Sequence, residues 1–337
     1  MAFFIPLFEQ QFARSDKSVL FRRPNKLRSQ RMKNRARFLF ILLIFFACTK
    51  AWAISINGEI ESIADVKPEA PEPVSLNIIE LESSYVFGSD LHRGGSLGDQ
   101  DAIGNSFSYG HRILLSGHLY LHLGIDYNRF DFGKTGAPVP DHLQSVAGVI
   151  GVDYMHNNDV GAFIQVKPGI YTENDFNSAS FDAPITLGRI FVLQPDKLYV
   201  FVGANAAFLR GQYPVIPLAG LIWLPDEQWK FLAILPEPRV IYSPCPKFDF
   251  WVGGQLTGGS FRTDRDNTIV PAKLNGAQVD YSEYRVGGGF IYSPCDNVSI
   301  DLGGGYAIQR RFDFHRADID YKTDGAPYLR VEFKAKF

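Results

Sequence analysis

A chain of 337 residues with 31 glycines, 14% aromatic and only 21% charged residues, and a mean hydropathy of −0.06, is neither a bundle of membrane helices nor a disordered polymer. Its net charge of −2 hides an asymmetry: residues 1–37 hold ten Lys/Arg and two acids, whereas residues 54–337 hold 23 bases and 34 acids. An acidic body excludes the basic surface that nucleic-acid binding needs, and no nucleic-acid partner is expected.

The basic end has its own logic. From Met32, "MKNRARFLFILLIFFACTKAWA" runs through a positive stretch, an apolar run from Phe38 to Ala47, and Ala51-Trp52-Ala53. That is the pattern of a secretory signal peptide, with the natural start at Met32 and cleavage after Ala53. Residues 1–53 are therefore read as an N-terminal extension plus signal. Residues 54–73, acidic and proline-punctuated, read as a flexible periplasmic tether. No long apolar helix follows. What remains is a soluble periplasmic domain or a closed barrel, the other structure that satisfies its backbone in lipid.

From residue 74 the text alternates. In "GHLYLHLGIDYNRF" Leu119, Leu121, Leu123, Ile125 and Tyr127 share one face, and His118, Tyr120, His122, Gly124, Asp126 and Asn128 the other. Period two over this length predicts a strand longer than the usual five or six residues of a soluble protein. "KFDFWVGGQLTGG" and "NVSIDLGGGYAIQRRF" repeat the pattern. Tight turns are predicted at 116–118, 156–159, 194–197, 225–228, 243–247 and 293–297. Mostly longer connections fall near 88–103, 132–142, 173–184, 261–276 and 313–326. Short turns at one end and longer loops at the other is the asymmetry of outer-membrane barrels.

The resulting expectation is an antiparallel up-and-down transmembrane β-barrel over residues 74–337, all-β, with about 14 strands. The arms of the hairpin at 228–243 are short for a spanning strand, and the count falls to 12 if that hairpin lies outside the wall. "VIYSPCPKFDFWVGG" and "FIYSPCDNVSIDLGGG" echo each other at fifty residues' separation, which places both turns at one barrel end.

The final stretch "APYLRVEFKAKF" sets Leu329, Val331 and Phe333 at alternate positions before Phe337. It resembles the signal by which the barrel assembly machinery recognises its substrates. "WLPDEQWKFLAILPEPRVIYSP" resembles an uncharacterised family of Gram-negative outer-membrane barrels known as a domain of unknown function. The likeness covers about residues 74–337; it implies an outer-membrane location and brings no active site.

Chemistry is sparse. His118 and His122 would chelate on a helix, but on a strand they stand ~13 Å apart, so no metal is expected. "FGKTG" lacks the earlier glycine and the helix of a phosphate loop. Cys245 and Cys295 occupy the two echoing turns, and a disulfide between them stays open because the periplasm is oxidising. No cofactor and no enzymatic constellation is legible. Glu283, Arg285, Asp301, Arg311, Arg330 and Glu332, with His118, His122 and Asp126, alternate onto faces assigned to the lumen, where they would set solute preference or pair with one another. The expected function is a narrow porin-like channel for small hydrophilic solutes in contact with outer-membrane lipid. A structural or surface-interaction barrel with a blocked lumen is the alternative, and an outer-membrane enzyme a distant third.

Overall fold

The computed structural model describes residues 75–337 apart from 157–159, 212 and 267. The signal peptide, its cleavage point, the tether and most of the turn at 156–159 lie outside the described residues. Fourteen antiparallel strands close into one barrel. They are β1 (Ser75–His92), β2 (Ser96–Ser116), β3 (Leu119–Phe132), β4 (His142–His156), β5 (Val160–Val166 with Gly169–Thr172), β6 (Phe181–Asp182 with Ile185–Gln194) and β7 (Leu198–Ala206). They continue as β8 (Val215–Trp223), β9 (Trp229–Ile234), β10 (Arg239–Cys245), β11 (Phe248–Arg262), β12 (Gln278–Cys295), β13 (Val298–Phe314) and β14 (Ile319–Thr323 with Ala326–Lys336).

Two of the three interrupted strands break at proline, which has no N–H to give the ladder. The carbonyls compensate: Pro168 O accepts from Gly148 N at 2.9 Å, and Pro184 O from Lys167 N at 2.9 Å. The seam closes between β1 and β14, in register from Ile78↔Lys336 to Val86↔Tyr328. Phe337 finishes it, its N–H donating to Asn77 O at 2.9 Å and its carbonyl accepting from Asn77 N at 2.7 Å. Joining the first strand to the last removes the two outer edges of the sheet, as hydrocarbon requires.

The hairpin at 228–243 lies in the wall. β9 pairs with β8 through Gly220↔Ile234 to Trp223↔Phe231, and with β10 through Trp229↔Tyr242 to Leu232↔Arg239. The count is therefore fourteen, not twelve. Its strands are short because Pro236 and Pro238 end them; both prolines act only as acceptors, from Leu256 N and Gly254 N, each at 2.9 Å.

The two echoing turns share one design at the end that carries Ser75 and Phe337. Each has a register shift before its cysteine, Tyr242/Cys245 and Tyr292/Cys295. Ser243 N and Ser293 N each donate across the strand, to Gln228 O at 2.7 Å and to Lys247 O at 2.9 Å. Cys245 and Cys295 are free and exposed. Their strands β10 and β12 are separated by β11, about two strand spacings or ~10 Å, and no bridge joins them in this structure.

At the opposite end two expected loops turn out to be strand. β1 and β2 stay paired as far as His92↔Ser96, where residues 88–103 suggest a loop. Pairing of Ile319–Thr323 with β13 fills most of 313–326. In 88–103 both faces are largely polar, which hides strand periodicity; in 319–323 Ile319 and Tyr321 alternate with Asp320 and Lys322, but their face is buried in the inward cluster.

The outer face is aliphatic around the wall: Leu81, Ile103, Ile125, Ile150, Ile164, Leu187, Val202, Val252, Leu302 and Leu329 are all exposed. Near the tight-turn end, cross-strand aromatic pairs form a belt. Ring centroids stand 4.9 Å apart for Trp223–Phe231, 4.8 Å for Trp229–Tyr242 and 5.0 Å for Phe248–Tyr292. An aliphatic band bounded by an aromatic girdle is a lipid-facing surface.

Candidate functional site: a cavity between a charge network and an aromatic seal

The interior holds three layers. On one side, inward-facing residues of β1 and of β10 to β14, with Glu237 of the β9–β10 turn, meet in a network of three arginines and five carboxylates. Arg285 donates from Nε to Glu283 Oε1 at 2.6 Å, from Nη1 to Gln255 Oε1 at 3.1 Å and from Nη2 to Ser84 Oγ at 3.0 Å. Arg330 stands 3.1 Å from Glu82, 3.5 Å from Asp301 and 3.8 Å from Glu237, and also contacts Glu332. Arg239 pairs with Glu237 at 2.7 Å and Asp301 at 3.2 Å. Charges so deeply buried persist only when paired and hydrogen-bonded.

Glycine makes room for this network. A Cβ at Gly303 would lie 2.5 Å from Trp251 Cζ2, and one at Gly287 2.6 Å from the Tyr328 hydroxyl. With no side chain there, the Trp251 and Tyr328 rings lie against the wall. The Arg239 guanidinium covers one ring at 4.5 Å and that of Arg285 the other at 5.1 Å. Trp251 Nε1 donates to Asp301 Oδ1 at 2.7 Å. The glycine runs thus serve inward packing, as expected of a barrel wall.

At the loop end the lumen is filled. Phe130, Phe132, Phe261, Tyr281, Phe312 and Phe314 are buried in one cluster. Centroids are 4.9 Å apart for Phe132–Tyr281 and 4.8 Å for Phe132–Phe312. This aromatic seal packs the loop end of the interior beside β1–β4 and β11–β14.

Between network and seal lies a cavity of about 160 Å³. Its wall is mixed: Ser84, Ser106, Ser108, Asn128 and Ser145, with Glu80, Asp126, Lys167 and Glu332, form a polar part beside Phe130, Leu256, Phe261 and Tyr281. Asp126 pairs with Lys167 at 3.1 Å, and Glu80 with Lys334 at 2.9 Å. The cavity reaches sideways to Leu256–Phe261, Ala207, Arg210 and Tyr213. There the ladder is incomplete. β8 meets β9 only over Gly220–Trp223; β11 pairs with β10 as far as Gly253, beyond which Gly254 N and Leu256 N donate to Pro238 O and Pro236 O; and higher up β11 bridges directly to β5 through Arg262↔Thr172.

Residues 207–211 of the connection after β7 lie over the gap. Asp182 anchors them, accepting from Phe208 N and Leu209 N at 3.0 Å each, and Asp280 Oδ2 accepts from Gly211 N at 3.2 Å. Arg210 Nη2 donates to Asn205 Oδ1 at 2.8 Å. Burial lowers Arg210 to about 10, against the pull of Asp280 and Asp182. Tyr213, beside it, is half exposed while lining the cavity.

The sequence-predicted residues distribute as follows. Glu283, Arg285, Asp301, Arg330 and Glu332 come together in the network, Asp126 lines the cavity, and His122 packs against Gly110 and Gly151. Arg311 does not join them. A bulge between Tyr284↔Gln309 and Arg285↔Ala307 reverses the facing of β13. Asp301 and Ala307 are buried before it, Arg310 and Phe312 after it. Arg311 lies on the other face with Asp313 at 3.0 Å and Asp320 at 3.4 Å. His118 sits at the turn, its ring 6.3 Å from that of Tyr154, whose side chain is exposed on the wall. Leu329, Val331, Phe333 and Phe337 all point outward and are exposed.

Sequence reasoning misses Glu82, Glu237, Arg239, Trp251 and Arg310. A signal exists for Glu82, because Glu80, Glu82 and Ser84 alternate with Ile79, Leu81 and Ser83. Arg239 and Glu237 flank Pro238 in text that promises irregularity, and only the fold turns that segment inward.

A closed fourteen-stranded wall, aliphatic and girdled outside, polar and ion-paired inside, defines an outer-membrane β-barrel. No family model matches the chain, and no curated protein resembles it. Among solved structures it is similar to an outer-membrane channel from Pseudomonas putida F1, at 12% identity over 80% of this chain and 98% of that one, with a TM-score of 0.45. It is also similar to the deltaS2S3 mutant of the TodX monoaromatic hydrocarbon channel, at 12% identity over 86% and 96%, TM-score 0.45. The translocator domain of the autotransporter NalP from Neisseria meningitidis gives 10% identity over 83% and 94%, TM-score 0.35. The architecture stands on the strand ladder itself.

Proposed function

We propose that this barrel is a narrow channel for small hydrophilic solutes, with the cavity as its solute-holding chamber and the gap beside 207–211 as its outer portal. The observation that carries this reading is the coincidence of two features. Residues on both sides of the incomplete ladder, 257–261 on one and Ala207, Arg210 and Tyr213 on the other, are also cavity lining. The top of the barrel, by contrast, is packed with rings. A chamber of about 160 Å³ holds a few waters, each taking ~30 Å³, or one small polar molecule. Serine and asparagine on its wall offer exchangeable hydrogen bonds, while its ion pairs keep fixed charges compensated.

Liposome swelling with graded sugars tests this reading. Wild-type protein should pass the smallest sugars slowly, and Asp182→Asn with Asp280→Asn, which loosen the cover, should raise the rate. Phe312→Ala should leave the rate unchanged if solutes use the portal. A rate that responds to Phe312→Ala and not to the cover would move the route to the barrel top. Silence in all variants would favour the second reading, a structural barrel with an occluded lumen, for which the aromatic seal speaks.

We further infer that residues 1–53 are removed on export with cleavage after Ala53, that 54–73 tether the barrel on the periplasmic side, and that the row Leu329, Val331 and Phe333, with Phe337, is the face read by the assembly machinery. The outward exposure of that row supports the last point. N-terminal sequencing of the mature protein, expected to begin at Ile54, tests the first.

A further inference from the structure

Asp90 and His92 of β1 and Asp324, at the break within β14, bring one ligand atom each to the loop-end limit of the closing seam. These atoms lie within 4.8 Å of one another. His92 Nδ1 is 3.9 Å from Asp90 Oδ2 and 3.8 Å from Asp324 Oδ1. We propose that these three residues bind a divalent cation of the zinc type and so clip the first strand to the last.

Three observations support the assignment. The backbone fixes the pair of strands here, with Asp324 N donating to Asp90 O at 2.9 Å, so the ligands arrive on a set frame. Asp90 spends its other oxygen, Oδ1, on the Ser96 hydroxyl, which orients Oδ2 toward the imidazole as an outer hydrogen bond orients a metal ligand. Finally, the two carboxylates lack a permanent cation. Among the described residues neither has a Lys or Arg within ion-pair distance, and the one basic side chain that each meets is His92. The nearby bases are engaged elsewhere: Lys322 pairs with Asp320 at 3.0 Å, and Arg93 lies over the Tyr321 ring at 5.8 Å.

The chemistry selects the ion. An imidazole nitrogen with two carboxylates suits zinc and similar borderline metals better than calcium or magnesium, which take oxygen. Bonds of ~2.0–2.2 Å in a tetrahedron set ligand atoms ~3.4 Å apart, so the two imidazole–carboxylate spacings close by about half an ångström and the carboxylates, within 4.8 Å of each other, by at most ~1.4 Å. Asp324 is 70% exposed, which allows that movement and leaves the fourth position to water.

Untagged protein refolded in detergent should bind one equivalent of Zn²⁺ in calorimetry. His92→Ala should weaken binding by ~100-fold or more, and Ser96→Ala by ~10-fold. Zn²⁺ should also raise the temperature at which the barrel shifts its gel migration on heating, in wild type but not in His92→Ala. Should His92→Ala fail to refold, Asp324→Asn in its exposed turn carries the same test. Absence of saturable binding, undiminished binding in these variants, or binding without a migration shift would overturn the proposal.

Discussion

Replacing Arg330 by alanine probes the interior most directly. Arg330 is 5% exposed and touches four carboxylates: Glu82 at 3.1 Å, Asp301 at 3.5 Å, Glu237 at 3.8 Å, and Glu332. Its loss leaves five acids facing Arg239 and Arg285 alone. Removing one partner of a buried pair costs about 3–5 kcal/mol, because the remaining charge stays desolvated. Asp301 keeps Arg239 and Trp251, and Glu82 keeps Arg285 at 3.9 Å, so the cost should fall toward the low end, about 3 kcal/mol. Reversible urea unfolding in lipid vesicles, followed by tryptophan fluorescence, measures it. Adding Glu332→Gln should recover part of the loss, because one uncompensated charge goes. A cost for Arg330→Ala below about 1 kcal/mol, the range of exposed pairs, would refute the claim that the network is buried and ion-paired.

Other expectations follow from single contacts. Gly303→Ala sets a methyl 2.5 Å from Trp251; the ring must tilt, weakening its bond to Asp301, at about 1–3 kcal/mol of overpacking cost in the same unfolding assay. Cys245 and Cys295, free and exposed, should both react with a maleimide without reductant, and a gel shift on reduction would contradict this. In the loop after β5, burial is the first cause that raises the Glu173 carboxyl, although Asp264 N donates to it at 2.9 Å. A raised folded pKa favours the protonated form, so this contribution is most favourable below the ordinary carboxylate value. It is lost as pH rises from there through the raised one. Glu173→Gln, which keeps an acceptor for Asp264 N, should flatten that dependence in acid-range melting curves. An unchanged profile would refute it.

Period-two alternation over long segments, with short turns at one end, was enough for an all-β barrel with an oily outside, because facing in a strand depends only on parity. Leu123, Ile125, Leu302 and Leu329 were placed outward by that rule alone, and Glu283, Arg285, Asp301 and Arg330 inward. Parity fails wherever the ladder slips. The bulge before Gln309 exchanged Arg311 for Arg310, and the sequence bears no mark of it. Polar text such as 88–103 conceals strand once the ladder has left the lipid.

Pairing between distant strands decided the rest. The carboxylates gathered around Arg330 come from β1, β13, β14 and the β9–β10 turn, and no local signal joins Glu82 to Glu237. The cavity, its seal and its side gap exist only because β9 and β10 stop short while β5 reaches β11. Alternation sets which way each side chain points; the register and length of its neighbours, fixed by closure of the whole ring, set what it meets there.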